Sequence, residues 1–518
     1  MRAFAIRFAL SLLCAAIVYR DAPSTFFRAE SGLFLSWSHA GETQRDEFVR
    51  TFIRHSYGGH YTPLFFLAEF ETAKLAGTQR TFWRARQIFA VALLGAVSML
   101  ALERMAGAFA LRKREGISIA AAVTALAVFQ PLMIDLVAWP FMLAQLLWAI
   151  LLMLSFYAML RVIDTPRDKK WPWIVAVAAY FSMHASGLGA VTVAAVAASL
   201  GFLFLARRLE VVRPLITLLV FAAVHAFAMI YLLPRDNGSH AGPTFHSVAA
   251  LKLVLGFVVY FFWAALRGFS LTIAPPPDVV AIAYCWSLGL LLIVLITTAL
   301  WKVARSAIAR RVSATLTQTT VLIFSAVGFF ALVLLITLRE IAEARASAGL
   351  VPFFNAFTVM PRYTIPLQWL FVGAFALAVI HVALHARHFT VWTCNGIVIA
   401  AMIANLEFQR TAMQNVMPTT RISHRAAWHL VLEVARQSRA ANLPMPNLQL
   451  AAITEEFNNM DVESFLPLIG QELGLRADEK LRLIDSAVAD EDERYRAVPS
   501  LKKLERMLNL LPPEHAAP

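Results

Sequence analysis

Four polar positions stand at the ends of long apolar runs. Asp21 follows the first run, Asp135 follows the third within FQPLMIDLVAWP, His184 follows the fifth, and Arg362 precedes the tenth within VMPRYTIPL. A carboxylate can take a proton from a hydroxyl nucleophile, and a guanidinium can neutralise an anionic leaving group. These residue types, if they share one surface, are those of a site for group transfer.

Each of these positions also has a structural interpretation. Asp135 lies between Pro131 and Pro140, which break helices, so this carboxylate can belong to a solvated turn at the membrane interface. The outer ends of membrane spans are wet and carry charges without any catalytic role. Whether the four positions share a surface depends on the membrane topology.

The composition identifies a polytopic membrane protein. The 518 residues are 59% hydrophobic and only 15% charged, against roughly 25% charged residues in a soluble domain. A soluble enzyme is therefore excluded. The net charge of +13 comes largely from short basic clusters that flank apolar runs, so it indicates membrane topology and no nucleic-acid partner. The three cysteines lie inside apolar runs, without the spacing of a disulfide framework or a zinc site.

Apolar runs of about 20 residues, enough to cross the hydrocarbon core, predict an all-α fold with about eleven membrane-spanning helices. The first run has the charged beginning of a signal peptide but no small-x-small cleavage site, so we expect an uncleaved first span. The later spans are predicted at 87–103, 117–134, 141–160, 173–183, 188–206, 214–233, 279–301, 317–338, 364–384 and 389–405.

Basic clusters in the short loops predict the orientation of these spans, because such loops are cytoplasmic. All the clusters fall inside if the N-terminus is inside and the apolar stretch 251–269 lies in the outer loop as an interfacial or re-entrant helix. Parity then places Asp21, Asp135, His184 and Arg362 on the outer face. The clusters are Arg104 with Arg112–Arg114, Arg161 with Arg167–Lys170, Arg207–Arg213, and Lys302–Arg311.

Two regions are predicted outside the cytoplasmic membrane. One is a long first loop, residues 20–86, within a transmembrane domain of residues 1–405. The other is a small helical C-terminal domain, residues 406–518, whose segment SLKKLERMLNLL places leucines on one helical face.

Three segments together resemble the GT-C membrane glycosyltransferases, particularly the O-mannosyltransferase-like branch. QPLMIDLVAWPFMLAQLL resembles the His-Pro-x-x-x-Glu-x-Val-x-Trp segment, HYTPLFFLAEFETAKLAG resembles the Tyr-Arg-Pro-Leu stretch of the first loop, and PRYTIPLQWLFVGAF resembles the Arg-Tyr-x-x-x-Pro stretch before a late span. Asp21, in YRDAPSTFF, stands where these enzymes have a catalytic carboxylate. The anchors occur in the family's order and cover roughly residues 1–400.

The resemblance implies transfer of a sugar from a polyprenyl-phosphate donor to a glycan, lipid or protein acceptor, with inversion at the sugar carbon. Asp21 would be the base, Asp135 would orient the acceptor or help to hold a divalent metal ion, and Arg362 would bind the donor phosphate. The cofactor is undetermined, because the sequence has no metal-binding motif and His55 and His60 would need further ligands. The substrate-binding candidates are Arg362, Tyr363, His184, Tyr61 and His60.

The sequence departs from the family at four places. Ala22 replaces the second acid after the first span, Thr62 the arginine before Pro63, and Gln130 the histidine before Pro131, while His184 and Ala185 stand near a Lys-Glu pair. These changes favour altered donor binding and leave two alternatives open, namely a non-catalytic cell-envelope assembly partner and a lipid transporter. A transporter predicts internal repeats and acids near mid-membrane, whereas these acids lie at one surface.

Overall fold

A computed structural model describes much of the N-terminal two-fifths of the chain and two later helices. The described residues are 2–19, 46, 49–55, 61–76, 80–109, 111–128, 133, 136–137, 142–206, 209–232, 312–337, 365–385 and 396. All regular secondary structure in these residues is helical, which confirms the predicted all-α class for this part of the protein.

Ten α-helices make up most of the described residues. Short π-helical segments at Val49–Ile53 and Ala228–Leu232 and a 3-10 turn at Leu209–Val211 accompany them. The helices are α1 Arg2–Val18, α2 Pro63–Ala76, α3 Arg80–Ala108, α4 Lys113–Val128, α5 Leu143–Asp164, α6 Lys170–Ala185, α7 Gly189–Leu205, α8 Val212–Phe227, α9 Val312–Thr337 and α10 Ile365–His385.

Several of these helices have the length and composition of membrane spans. Within the described residues, four stretches are long and apolar enough to cross a bilayer, and α7 and α8 are shorter apolar helices. The protein is therefore a helical membrane protein. The four stretches are Thr81–Ala108, Leu143–Asp164, Ala314–Leu332 and Ile365–Leu384. The predicted span 279–301, the span 389–405 apart from Gly396, the stretch 251–269 and the domain 406–518 lie outside the described residues.

The main difference from the predicted elements concerns the first loop. Helix α3 begins at Arg80, whereas the hydropathy pattern places the start of that span at residue 87. The additional turns contain Arg84 and Arg86, which the pattern assigns to water because they are charged. In the folded protein these side chains are satisfied by specific partners, so the helix continues through them. Helix α2 also lies within the region predicted as a loop.

Helix α5 packs at the centre of the described helices. It contacts α3 and α6 most extensively and also touches α7, α9 and α10. Its Trp148 is fully buried and donates a 2.8 Å hydrogen bond from Nε1 to Oγ1 of Thr192 on α7, which removes the cost of burying an indole N–H. Because α3 also packs on α1 and α4, and α10 on α9 and α4, the helices form one contiguous bundle.

Two glycines allow the late helices to pack closely on their neighbours, α9 on α10 at Gly328 and α10 on α5 at Gly373. A Cβ at Gly328 on α9 would lie 2.5 Å from Cδ2 of Leu370, and one at Gly373 on α10 would lie 2.9 Å from Cζ of Phe156. Ser325 on α9 donates a 2.8 Å hydrogen bond to the carbonyl oxygen of Leu370 at the same contact. Small residues at a helix interface permit this approach, which is a common arrangement in membrane bundles.

The two ends of the bundle have different polar contacts. At the Asp164 end, Arg7 at the start of α1 pairs with Glu103, and Arg104, near the end of α3, pairs with Asp164 at the end of α5. The opposite end, here called the His184 end, contains the end of α1, the end of α4, the start of α3 and the end of α6. These helix directions agree with the alternation expected of consecutive spans.

Candidate functional site at the His184 end

Hydrogen bonds to backbone oxygens gather several chain segments at the His184 end. Tyr19 Oη donates to the carbonyl oxygen of Val128 at 2.6 Å, and Gln87 Nε2 donates to that of Leu136 at 2.7 Å. Gln368, near the start of α10, donates to the carbonyl oxygen of Ala127. These bonds link the ends of α1 and α4 with the start of α10, and they link the start of α3 with Leu136.

His184 is positioned by a tight turn between α6 and α7. Helix α6 ends at Ala185, and Ser186, in an extended conformation, donates its backbone N–H to the carbonyl oxygen of Ser182 at 3.1 Å. A Cβ at Gly189 would lie 2.2 Å from the backbone nitrogen of Met183, so only glycine fits there. The turn therefore places the imidazole in the last turn of α6.

Three rings from three separate elements meet beside this turn. The centroids of the His184 and His225 rings are 4.8 Å apart, in an edge-to-face arrangement. Tyr61, two residues before α2, lies 5.4 Å from His225 and 6.1 Å from His184. We call Tyr61, His184 and His225 the ring cluster. Because α6, α8 and the segment before α2 each supply one member, the cluster depends on the packing of these elements.

The ring cluster combines aromatic surface with hydrogen-bonding atoms. His184 Nδ1 lies 3.2 Å from the carbonyl oxygen of Tyr180, whose own ring is 4.6 Å from the imidazole. A hydrogen bond to that oxygen places the proton on Nδ1, so Nε2 of the neutral ring is an acceptor. His184, His225 and Tyr61 are half-buried. Such a surface can bind a polar ligand and restrict its access to water.

A buried ion pair joins α2 to α3 at the same end. Arg86 Nη1 lies 2.7 Å from Oε1 of Glu69, whose side chain is completely inaccessible to solvent. Arg86 also donates to Oγ1 of Thr72 at 3.0 Å and lies over the ring of Trp83 at 4.7 Å. Burial raises the pKa of the Glu69 carboxyl to about 7, against the lowering effect of the Arg86 charge.

The predicted site residues fall into two groups. The described residues include Tyr61 and His184, which the structure brings together in the ring cluster. The predicted catalytic residues Asp21 and Asp135, and the predicted substrate-binding residues Arg362, Tyr363 and His60, lie outside the described residues.

Several polar residues of the His184 end were not singled out as site residues from the sequence. His225 is one of them, and it contacts both His184 and Tyr61. Glu69 carries a recognisable signal, since it is an acid within the apolar sequence LFFLAEF. Arg86 carries none, because a single arginine at the start of a span is common.

Among the described residues, no group of three His, Cys, Asp or Glu side chains could hold a metal ion. His184 and His225 would need a further ligand from elsewhere to form a metal site. The arrangement is better suited to hydrogen bonding and ring stacking with an organic ligand.

No protein-family model and no curated protein sequence matches this chain. Its class therefore rests on the residues themselves, which define a helical membrane protein with a polar cluster at one end of its bundle.

Proposed function

We propose that this protein is a GT-C-like glycosyltransferase that moves a sugar from a polyprenyl-phosphate donor to an acceptor at the outer face of the cytoplasmic membrane. One observation carries the proposal, namely the set of hydrogen bonds at the His184 end. They connect Tyr19, Leu136 and Gln368 to neighbouring helices. In the sequence, Asp21 follows Tyr19 by two positions, Asp135 immediately precedes Leu136, and Arg362 precedes Gln368 by six.

In the proposed reaction, the acceptor hydroxyl oxygen attacks the anomeric carbon of the sugar. Asp21 takes the hydroxyl proton, and the bond between the anomeric carbon and the phosphate oxygen breaks, with its electron pair leaving on the polyprenyl phosphate. Arg362 neutralises this phosphate through two parallel hydrogen bonds, beside Tyr363. Asp135 orients the acceptor. The new bond forms on the opposite face of the sugar ring, so the configuration inverts.

The ring cluster binds the sugar in this proposal. Tyr61 and the two histidines offer ring faces together with a phenol hydroxyl and imidazole nitrogens, which suit a ligand that carries many hydroxyls. His60, adjacent to Tyr61 in the sequence, contributes to the same subsite. Half-burial of the cluster limits competition from water, which would otherwise hydrolyse the donor.

The proposed orientation has eleven spans, with the N-terminus in the cytoplasm and the C-terminal domain 406–518 outside. Arg104, Arg161 and Lys170 gather at the Asp164 end, and the excess of basic residues in cytoplasmic loops favours the cytoplasm for that end. The His184 end then faces outward, where the residues proposed for the reaction meet the lipid-linked donor.

Asp21→Asn tests the proposal directly. Asparagine is nearly isosteric but cannot take a proton, so we expect a folded protein whose transfer rate is lower by about 10² to 10⁴. The measurement is sugar transfer per folded molecule, in membranes supplied with polyprenyl-phosphate sugar and matched for protein level.

Asp168→Asn is the matched control, because it makes the same chemical change at the Asp164 end and should leave transfer unchanged. Equal transfer by Asp21→Asn and the parent would remove Asp21 from the reaction. Donor binding without transfer by the parent would instead indicate a non-catalytic assembly partner, and movement of the donor across the bilayer of proteoliposomes would indicate a transporter.

A further inference from the structure

The first turns of α3 reach three different parts of the His184 end. Arg84 Nη2 donates a 3.1 Å hydrogen bond to the carbonyl oxygen of Tyr19. Arg86 forms its ion pair with Glu69 on α2. Gln87 donates a 2.7 Å hydrogen bond to the carbonyl oxygen of Leu136. A five-residue stretch, Trp83–Gln87, therefore contacts the end of α1, the helix α2 and the segment after Asp135. We call this stretch the hub.

The backbone contacts of the hub satisfy groups that regular structure leaves unpaired. Carbonyl groups in the last turn of a helix lack partners within that helix. Helix α1 ends at Val18, and the guanidinium of Arg84 satisfies the following carbonyl, that of Tyr19. The buried amide of Gln87 does the same for Leu136. An unsatisfied buried carbonyl is costly, so these bonds favour one particular arrangement of both segments.

The side-chain contacts of the hub attach α2 to the start of α3. Arg86 bonds Thr72 as well as Glu69, and both residues belong to α2. Thr72 Oγ1 donates in turn to the carbonyl oxygen of Ala68 at 2.6 Å, so its lone pairs remain available to Arg86. Removing one partner of a buried ion pair leaves an uncompensated charge, which makes this attachment specific for the Glu-Arg combination.

Contacts within the hub link its separate attachments. Arg86 Nη2 lies 3.4 Å from Oε1 of Gln87, whose Nε2 contacts Leu136. A continuous polar path therefore runs from Glu69 through Arg86 and Gln87 to the backbone beside Asp135. Displacing α2 would change the partners available to Gln87 as well as the position of Tyr61, which lies two residues before α2.

We propose that the hub fixes Tyr61, the end of α1 at Tyr19 and the segment at Leu136 in one arrangement, with Glu69 and Arg86 as positioning residues. In the sequence, Asp21 follows Tyr19 by two positions and Asp135 immediately precedes Leu136. The effect of the hub on catalysis rests on the proposed transfer reaction, whereas the positioning of these segments does not depend on it. Glu69 acts through Arg86 and Gln87 and does not touch the substrate. Its replacement changes the geometry in which the reacting groups meet, and a misplacement of about 1 Å is worth about 10² in rate.

The experiment follows the position of α2 through a cysteine at Ala73, which is fully buried on α2. The parent chain carries Ala73→Cys and has its three native cysteines replaced by alanine. Maleimide should label the folded parent slowly, and Glu69→Ala should increase the labelling rate by at least about 10-fold, the effect of a 1.4 kcal/mol shift toward an open state. Arg86→Lys, which keeps the charge but loses the planar fork, should give an intermediate rate.

Asp164→Asn is the matched control, because it breaks an ion pair at the other end of the bundle and should leave Ala73→Cys protected. A cysteine at Ala149, fully buried on α5, reports general unfolding. If Glu69→Ala also increases labelling of Ala149→Cys, the protein has unfolded more widely, and the milder variant Glu69→Gln is tested instead. We expect Glu69→Gln to increase labelling at position 73 and not at position 149. Equal labelling of the parent, Glu69→Ala and Glu69→Gln at position 73 would overturn the proposal.

A kinetic measurement separates positioning from simple stabilisation. Glu69→Gln should lower kcat by about 10² per folded molecule, while KM for the polyprenyl-phosphate donor stays near the parent value. Unchanged kcat per folded molecule, with lower protein abundance, would show a purely structural role and overturn the positioning inference. Absence of transfer by the parent would refute the proposed function, and the labelling rates would still decide whether the hub holds α2.

Discussion

At the Asp164 end of the bundle both partners of each described ion pair are partly exposed, Arg7 and Glu103 at 15% and 19%, whereas the carboxylate of the pair at the His184 end is completely enclosed. The side chains of Arg104 and Asp164 are 37% and 14% exposed, and those of Lys170 and Asp168 are 63% and 35% exposed. Glu69 is 0% exposed. Water screens exposed pairs and weakens them, whereas breaking a buried pair typically costs about 3 to 5 kcal/mol.

The two ends also differ in their other polar contacts. At the Asp164 end, Arg161 and Lys170 lie over the ring of Trp171, and the Lys170 side chain holds the pKa of Asp168 below its usual range. At the His184 end, buried side chains bind backbone oxygens, as Gln87 does at Leu136. A protein keeps costly buried polar groups where they give specificity of arrangement, and we take this as the physical reason to seek function at the His184 end.

The largest expected difference between the two ends is their accessibility in intact cells. In the cysteine-free background, a cysteine at Leu75, exposed on α2, should react with a membrane-impermeant maleimide. A cysteine at Arg167, between α5 and α6, should react only after the membrane is permeabilised. The physical reason is that the charged reagent cannot cross the hydrocarbon core. Labelling of Arg167→Cys but not Leu75→Cys in intact cells would reverse the orientation and place the His184 end in the cytoplasm.

A smaller effect, on turnover, is expected from Arg362. If this guanidinium meets charge that grows on the leaving phosphate, Arg362→Ala should lower kcat by about 10² to 10³, the scale of losing one preorganised donor. The kcat of Arg362→Lys should lie between those of the parent and Arg362→Ala, because lysine offers the charge without the planar fork. The measurement is transfer per folded molecule over a range of polyprenyl-phosphate sugar concentrations.

Arg104→Lys supplies the comparison at the Asp164 end and should leave kcat unchanged. Identical curves for arginine, lysine and alanine at position 362 would end its assignment as a phosphate ligand. A rise in KM with constant kcat would instead make Arg362 a ground-state anchor of the donor.

The smallest expected effect concerns the ring cluster. His184→Phe and His225→Phe keep a ring but remove the imidazole nitrogens, so each loses about one neutral hydrogen bond to the sugar. Such a bond is worth about 1 kcal/mol, so kcat/KM should fall by about fivefold. Tyr157→Phe, which keeps the ring contact with Trp171 at the Asp164 end, should have no effect. If both histidine variants keep the kcat/KM of the parent, the ring cluster contributes to packing and not to sugar binding.

Among the described residues, the positions of the long apolar helices could be predicted well from the sequence, and the polar partners could not. The predicted span 141–160 and the observed helix Leu143–Asp164 nearly coincide, because an apolar run of that length has one stable state in a membrane. The start of α3 was predicted too late, because hydropathy counts Arg84 and Arg86 as preferring water. Their partners come from α1 and α2, and no local pattern contains that information.

The candidate site shows the same division. Tyr61 and His184 were predicted to bind substrate, and they do lie together, but His225 was placed with them only by the packing of α8 against α6. Nothing in the sequence around His225 distinguishes it from a histidine inside a bundle. Glu69 was visible as an acid in an apolar stretch, yet its pairing with Arg86 depends on how α2 lies against α3.

The sequence by itself determined that this is a helical membrane protein, because long apolar runs must bury their backbone polar groups as helices within hydrocarbon. Its basic clusters and the parity of its spans also led to the prediction that the polar positions share one face. Only the tertiary structure decided which side chains meet there. The reason is that a buried carboxylate such as Glu69 is stable only beside a specific partner, and helix packing brings that partner from a separate element.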